Sequence, residues 1–167
     1  MGFDIREVRP EEYEEAGRIT ADAYREYVPP GDRDWQAYLE DIADVVDRAK
    51  RTTVLVAVED GEILGTATLE LEGRTEKGRE RDPLAPGEAH VRMVGVRPGA
   101  RRRGIARALM DECVRRARET GKTLLTLNTG ESMKAAHAMY ESMGFRRNPD
   151  QVFDDDFVLR SYELPLG

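Results

Sequence analysis

Cysteine is almost absent from this chain, with Cys113 its single example. An intrachain disulfide is therefore impossible, and a thiolate metal cluster is excluded. Histidine is nearly as scarce: His90 and His137 are the only two, too few for a histidine-rich metal site. Long hydrophobic runs are missing as well. The longest clean apolar stretch is Val54–Val58, far short of the roughly 20 residues a membrane helix needs. The N-terminus has no apolar segment of the secretory kind. Positive charge is in deficit, since 26 Lys and Arg stand against 33 Asp and Glu for a net charge of −7. Nucleic-acid binding thereby loses its usual electrostatic footing. These absences predict a soluble, cytoplasmic protein in a reducing compartment, with no metal, no membrane and no nucleic-acid partner.

What is present is enough for a core. Hydrophobic residues make up 40% of 167 positions, which predicts one domain over residues 1–167. Phe3–Val8 alternates like a strand. Pro10 opens a helix over Glu11–Tyr27, which Val28-Pro29-Pro30-Gly31 breaks. A second helix follows, with Trp35, Tyr38, Leu39, Ile42, Val45, Val46 and Ala49 on one apolar face. The period then changes to two. Thr52–Val58 and Ile63–Leu71 read as a hairpin around Asp60-Gly61. Gly73–Pro83 is polar and aperiodic, a solvated loop or a substrate lid. Glu88–Val96 is the next strand. A helix runs from about Arg103 to Glu119, with Ile105, Leu109, Met110, Cys113 and Ala117 on its apolar stripe. Thr123–Asn128 is a strand, and Thr129-Gly130 a turn. Ser132–Met143 is a helix ended by Gly144. Phe145–Arg147 and Phe157–Leu164 are the last strands, joined through Asn148–Asp156. Cys113 reads as a buried packing residue. The order is β-α-α-β-β-β-α-β-α-β-β, a mixed α/β (α+β) pattern.

The chemistry concentrates where Met93-Val94-Gly95-Val96 gives way to a basic turn and a helix. The first N–H groups of a helix lack intrahelical partners, and its dipole adds positive charge there. Gly104 and Ala106 let a phosphate approach the backbone. Arg101, Arg102, Arg103 and Arg107 supply fork-shaped cationic donors. An arginine run beside a helix is also a common solvated face. Here it sits at a strand-to-helix junction, where α/β proteins bind ligands. It is neither a Walker loop nor a dinucleotide fingerprint, for neither spacing is present.

Arg101-x-x-Gly104-x-Ala106 resembles the Gln/Arg-x-x-Gly-x-Gly/Ala signature of the GNAT family of N-acetyltransferases. Val94-Gly95-Val96-Arg97-Pro98 resembles that family's preceding strand end. Ala135-Ala136-His137-Ala138-Met139-Tyr140-Glu141-Ser142-Met143-Gly144-Phe145 resembles its A-x-x-L-Y-E-x-x-G-F segment. Ser161–Leu166 reads like its last strand. The resemblance is strong over residues 90–166 and weaker back to Phe3. It implies a mostly antiparallel sheet with two splayed parallel central strands, Glu88–Val96 and Thr123–Asn128, and helices on both faces.

The same resemblance implies acetyl-CoA as co-substrate and an amine as acceptor. Val94, Gly95 and Val96 would pair with the pantetheine arm at a bulge. Arg101, Arg102, Arg103, Gly104, Ile105, Ala106 and Arg107 would hold the pyrophosphate and 3′-phosphate. A backbone N–H near Val94 would meet the thioester oxygen. Tyr140 would protonate the departing thiolate; a phenol, with an ordinary pKa of about 10, carries its proton at neutral pH. The base is less defined. The family's usual Glu falls on His90 here, and His is a base at neutral pH. Glu88 shares its face and could act directly or through water. Asn128 falls where protein N-terminal acetylases carry Glu, and Met133 where they carry Asn. Asn128 is retained as a ligand to the cofactor, substrate or a water.

The acceptor site is expected between the two N-terminal helices and the Gly73–Gly87 loop. Tyr24, Tyr27, Trp35 and Tyr38, beside Asp32, Asp34, Glu40 and Asp41, suit a cationic amine. Trp35 and Tyr38 also lie on a packing stripe. A small-molecule or peptide amine is the implied partner, and a homodimer is compatible with the resemblance. The competing reading is a non-catalytic acyl-CoA sensor on the same fold.

Overall fold

A computed structural model describes residues 2–27, 33–72, 84–152 and 158–167, the side chains of residues 33 and 34 excepted. The expected loop or lid at Gly73–Pro83 lies outside the described residues, as does Asp32. Seven strands form one sheet, β1 (Asp4–Glu7), β2 (Thr53–Glu59), β3 (Glu62–Glu70), β4 (Glu88–Val96), β5 (Leu124–Gly130), β6 (Arg146–Val152) and β7 (Val158–Pro165), in the order β1-β2-β3-β4-β5-β7-β6. Every pairing is antiparallel except β4 with β5. The turn at Asp60-Gly61 has φ of 51° and 81°, the primed geometry that matches strand twist.

Helices cover both faces. Five are described: α1 (Tyr13–Arg25), α2 (Arg33–Ala43), α3 (Val45–Ala49), α4 (Ile105–Glu119) and α5 (Lys134–Ser142). The apolar stripe of α4 puts Ile105, Leu109, Met110, Cys113 and Ala117 against Leu55, Leu69, Val91 and Leu125 on one face of the sheet. Ala16 and Ile19 of α1 pack with Val45, Val54, Val56 and Ile63 on the other. Among the described residues, no helix is long and apolar enough to cross a membrane.

Three expectations need correction. The second N-terminal helix is two helices. Asp44 breaks it and caps α3, accepting from the Asp47 N–H at 3.1 Å. The break rotates Val46 out of the apolar face, to 53% exposure. Thr129-Gly130 belongs to β5, paired with Arg160 and Leu159. Arg146–Val152 is strand rather than largely connection, because backbone pairing with β7 holds an exposed edge that side-chain burial does not mark.

Two features of β4 and β5 shape the middle of the molecule. Their pairing runs from Glu88↔Leu124 to Val91↔Leu127 and stops there. Beyond it, Arg92–Val96 and Asn128–Gly130 are not paired with each other. At the same level β4 carries a bulge. Thr66 pairs with Gly95 and Thr68 with Arg92, so Met93 and Val94 face Ala67 alone. Met93 has a φ of 55°, a left-handed conformation uncommon outside glycine. The bulge resets the alternation of the strand. Met93 packs under α1 and α2 with Ala21, Leu39 and Ile42, whereas Val94 and Val96 turn to the α4 side.

Candidate active site

The bulge brings the Val94 backbone close enough to Tyr24 of α1 to act on its hydroxyl. Burial pushes the Tyr24 hydroxyl well up, so it holds its proton. Gly95 makes the approach of α1 possible. A β-carbon built there would lie 2.9 Å from Ala23 Cβ and 3.5 Å from Thr20 Cα. Glycine at this position serves the close approach; the positive φ of the bulge falls on Met93 instead.

Tyr140, on α5, reaches the centre of the sheet from the α4 side. It is 6% exposed and packs edge-on against Phe145, with centroids 5.7 Å apart. Among the described residues its hydroxyl has no hydrogen-bond partner. Burial raises its pKa, with Cys113 and Tyr162 adding to the shift, so the phenol remains protonated and able to donate. Tyr140 adds to the upward shift of the Tyr24 hydroxyl. Two protonated phenols thus converge on the opening where β4 and β5 part, one from each side of the sheet.

A polar chain links the paired part of the same two strands. The register places His90 opposite Thr126. His90 Nδ1 lies 2.7 Å from Thr126 Oγ1, and that hydroxyl donates to Glu88 Oε2 at 2.7 Å. The Ala85 N–H donates to Glu88 Oε1 at 2.9 Å. A carboxylate only accepts, so the Thr126 proton points to Glu88 and its lone pair receives Nδ1–H of His90. This fixes the imidazole tautomer and leaves Nε2 as the basic nitrogen. The sequence placed His90 and Glu88 on one face; the intervening threonine from β5 was not anticipated. Asn128 lies further along β5, where its side-chain oxygen accepts from Ser161 Oγ at 2.9 Å. Its amide NH2 is thereby turned toward other partners.

The basic turn sits at the mouth of the opening. Arg102 has a φ of 66° and Gly104 one of 78°, left-handed positions on either side of Arg103 that swing the chain into α4. Among the described residues, the N–H groups of Ile105, Ala106 and Arg107 have no backbone acceptor, while Ala108 is the first to bond back, to Gly104. A β-carbon on Gly104 would meet nothing within 4 Å, so the space above the turn is open. The arginines divide into two kinds. Arg101 is paired with Glu26, and Arg103 with Glu59 at 2.6 Å. Among the described residues, Arg107 reaches only the Ser142 hydroxyl, at 3.3 Å. Arg102 has no partner among the described residues.

Cys113 is wholly buried and its thiol is pushed up to about 12 by that burial, so it packs and does not react. His137 is spoken for as well: it is buried, with Nε2 2.9 Å from the Gly130 carbonyl, and burial lowers its pKa.

The site is thus a mixed sheet opened between two parallel strands, with a bare helix N-terminus at the mouth of the opening. The family model described as Acetyltransferase (GNAT) family matches residues 13–145, and the chain belongs to that family. Solved structures agree in fold. A GNAT acetyltransferase from Staphylococcus aureus Mu50 is 21% identical, with a TM-score of 0.73 over 99% of both chains. The ribosomal-protein-S18-alanine N-acetyltransferase of Escherichia coli is 19% identical, with a TM-score of 0.69 over 99% of this chain and 94% of its own. Salmonella typhimurium yncA, solved with acetyl-CoA, is 18% identical, with a TM-score of 0.68 over 100% and 95%. Comparison with curated protein sequences gives no match.

Proposed function

We propose that this chain is an acetyl-CoA-dependent N-acetyltransferase that acts on a primary amine of a small molecule or peptide. The observation that carries the reading is the pair of protonated phenols at the β4–β5 opening, beside the His90–Thr126–Glu88 chain.

The residues suit the co-substrate. The free N–H groups of Ile105, Ala106 and Arg107 and the open space over Gly104 would take the pyrophosphate. Arg102 and Arg107 are available to phosphate oxygens. Arg101 and Arg103 would have to leave Glu26 and Glu59, which costs little because both pairs are exposed to solvent screening. The unpaired edges of Arg92–Val96 and Asn128–Gly130 would receive the pantetheine amides. Bound acetyl-CoA supplies an acetyl thioester: the amine nitrogen bonds to the acetyl carbon, the carbon–sulfur bond breaks, and CoA leaves as the thiol.

The protein's own groups handle the protons. Nε2 of His90 takes the proton the amine must lose, with Thr126 and Glu88 holding the ring in the required tautomer. Tyr140 donates to the leaving sulfur. The Val94 N–H and the Tyr24 hydroxyl would donate to the charge that gathers on the thioester oxygen. An acyl-CoA sensor would need the cradle but none of these proton-handling groups.

The test is thermal unfolding with acetyl-CoA, with ATP as control, followed by CoA release with amines. Acetyl-CoA at 100 times its Kd should add about 2.7 kcal/mol. Tyr140→Phe should keep that shift and lose most turnover. No shift with acetyl-CoA sinks the reading; a shift without turnover of any amine selects the sensor.

A further inference from the structure

The acceptor side of the opening holds a charge that the acetyl-transfer chemistry does not use. Arg48, on α3, is 5% exposed. Its Nε donates to Thr68 Oγ1 of β3 at 3.1 Å, and Nη1 to the Asp41 carbonyl of α2 at 3.1 Å. These bonds use part of a guanidinium with five N–H donors. Among the described residues, no carboxylate lies within ion-pair reach of it; Asp44 is felt only from a distance. Burial pulls Arg48 down to about 10, and the neighbouring Arg92 adds to the effect. A buried cation without a paired anion is costly.

The surroundings show where the missing anion belongs. Arg92 lies on β4 opposite Thr68 and is paired with Glu70 at 3.5 Å. That carboxylate is itself 1% exposed and answers the charge of Arg92 rather than that of Arg48. The phenols of Tyr24 and Tyr38 are close enough to act on Arg48. Tyr24 is also the residue whose hydroxyl the Val94 backbone influences at the bulge. Thr68, which Arg48 binds, stands opposite Arg92 and next to the bulge at Met93 and Val94, so the guanidinium adjoins the place where the acetyl group would sit. Of the acidic residues expected to attract a cationic acceptor, Asp32 and the side chain of Asp34 lie outside the described residues. Glu40 is exposed, and Asp41 contributes its backbone carbonyl to Arg48.

We infer that the acceptor carries a carboxylate close to its amine, as an amino acid does, and that Arg48, flanked by Arg92, receives that carboxylate while the amine faces His90. The inference rests on the acetyltransferase reading and names the substrate class of the same site. The transfer balances as before: the N–C bond forms, the C–S bond breaks, one amine proton leaves to His90, and the thiol proton comes from Tyr140.

The experiment follows CoA release from acetyl-CoA with matched acceptors: L-phenylalanine, L-leucine and L-methionine, their primary amides, and the corresponding decarboxylated amines. The best acid should exceed its amide and its amine in kcat/KM by at least about tenfold. Arg48→Gln should erase that preference by raising KM for the acid at least about tenfold more than for the neutral amines. Arg48→Lys should restore part of it. A merely structural Arg48 would lower all acceptors equally, and that overturns the assignment. Neutral amines equal to or better than the acids in the unaltered protein overturn it too, even if Arg48→Gln fails to fold. So does an acetyl-CoA thermal shift with no acid used faster than its amide. Absence of that shift, by contrast, removes the acetyltransferase reading itself.

Discussion

Replacing Gly95 with alanine probes how closely the sheet and α1 must approach. The new β-carbon would fall 2.9 Å from Ala23 Cβ. Carbon atoms settle at about 3.5–4.0 Å, so α1 must withdraw by roughly 0.6–1.1 Å. Overpacking of this size costs about 1–3 kcal/mol. In a chain of this length each kcal/mol lowers Tm by about 2–4 °C, so a loss of roughly 2–12 °C is expected. The nearest clash is with a single methyl group, which allows a stricter test. Ala23→Gly removes that methyl, at a helix-propensity cost of about 1 kcal/mol. The double variant should then be more stable than the sum of the single effects requires, with a coupling of about 1–2 kcal/mol. The remaining contacts, 3.5 Å to Thr20 Cα and 3.7 Å to the Thr20 carbonyl oxygen, are ordinary packing. The assay is urea unfolding of the four proteins, read by circular dichroism. Strict additivity would refute the reasoning, because it would mean that Gly95 and Ala23 do not press on each other.

Thr126→Val should lower kcat by about 10- to 100-fold, the equivalent of the roughly 1.5–3 kcal/mol a hydrogen bond to a charged group contributes. Acetyl-CoA affinity should be unaffected and Thr126→Ser should recover activity; equal turnover in the valine variant removes the relay. Glu112 gives a pH-dependent effect. Hydrogen bonds from Arg115 and Arg116 lower its pKa to about 2, below an unfolded value of about 4.3. The stabilisation is therefore complete above the unfolded value and lost as pH falls through about 2. Arg115 is half exposed, so Glu112→Gln should cost no more than about 1 kcal/mol at pH 7. The gap from the unaltered protein should close in acid; denaturant melts at pH 7 and pH 3 would show a constant gap if the pairing contributes nothing.

The sheet's middle was legible because its residues obey a period. Glu88–Val96 is the strand the alternation predicts, and the α4 stripe names the residues that are buried. What escaped has physical causes. A run of apolar residues continues through Asp44, and only the cap bond to Asp47 ends the helix there. Residues 148–152 are held by backbone pairing, which leaves no mark on side-chain choice. In the site, Tyr140, His90 and Glu88 could be picked from one strand and one helix. Thr126 could not, since its role depends on which residue of β5 stands opposite His90. Arg48 was passed over because arginine is normally a surface residue, and only packing of α3 on β3 and α2 reveals it as buried.

The parting of β4 from β5 means that the two halves of the sheet share one short seam, Glu88–Val91 against Leu124–Leu127. An extended ligand lying beyond that seam would lengthen it, bonding to both halves as a strand would. The reactant would then also be a structural member. Its arrival would set the twist of one half against the other, and its departure would require unzipping backbone contacts from one end. Release and sheet opening would become one event, and a tightly fitted ligand would be held by the fold's own cooperativity as much as by its phosphates.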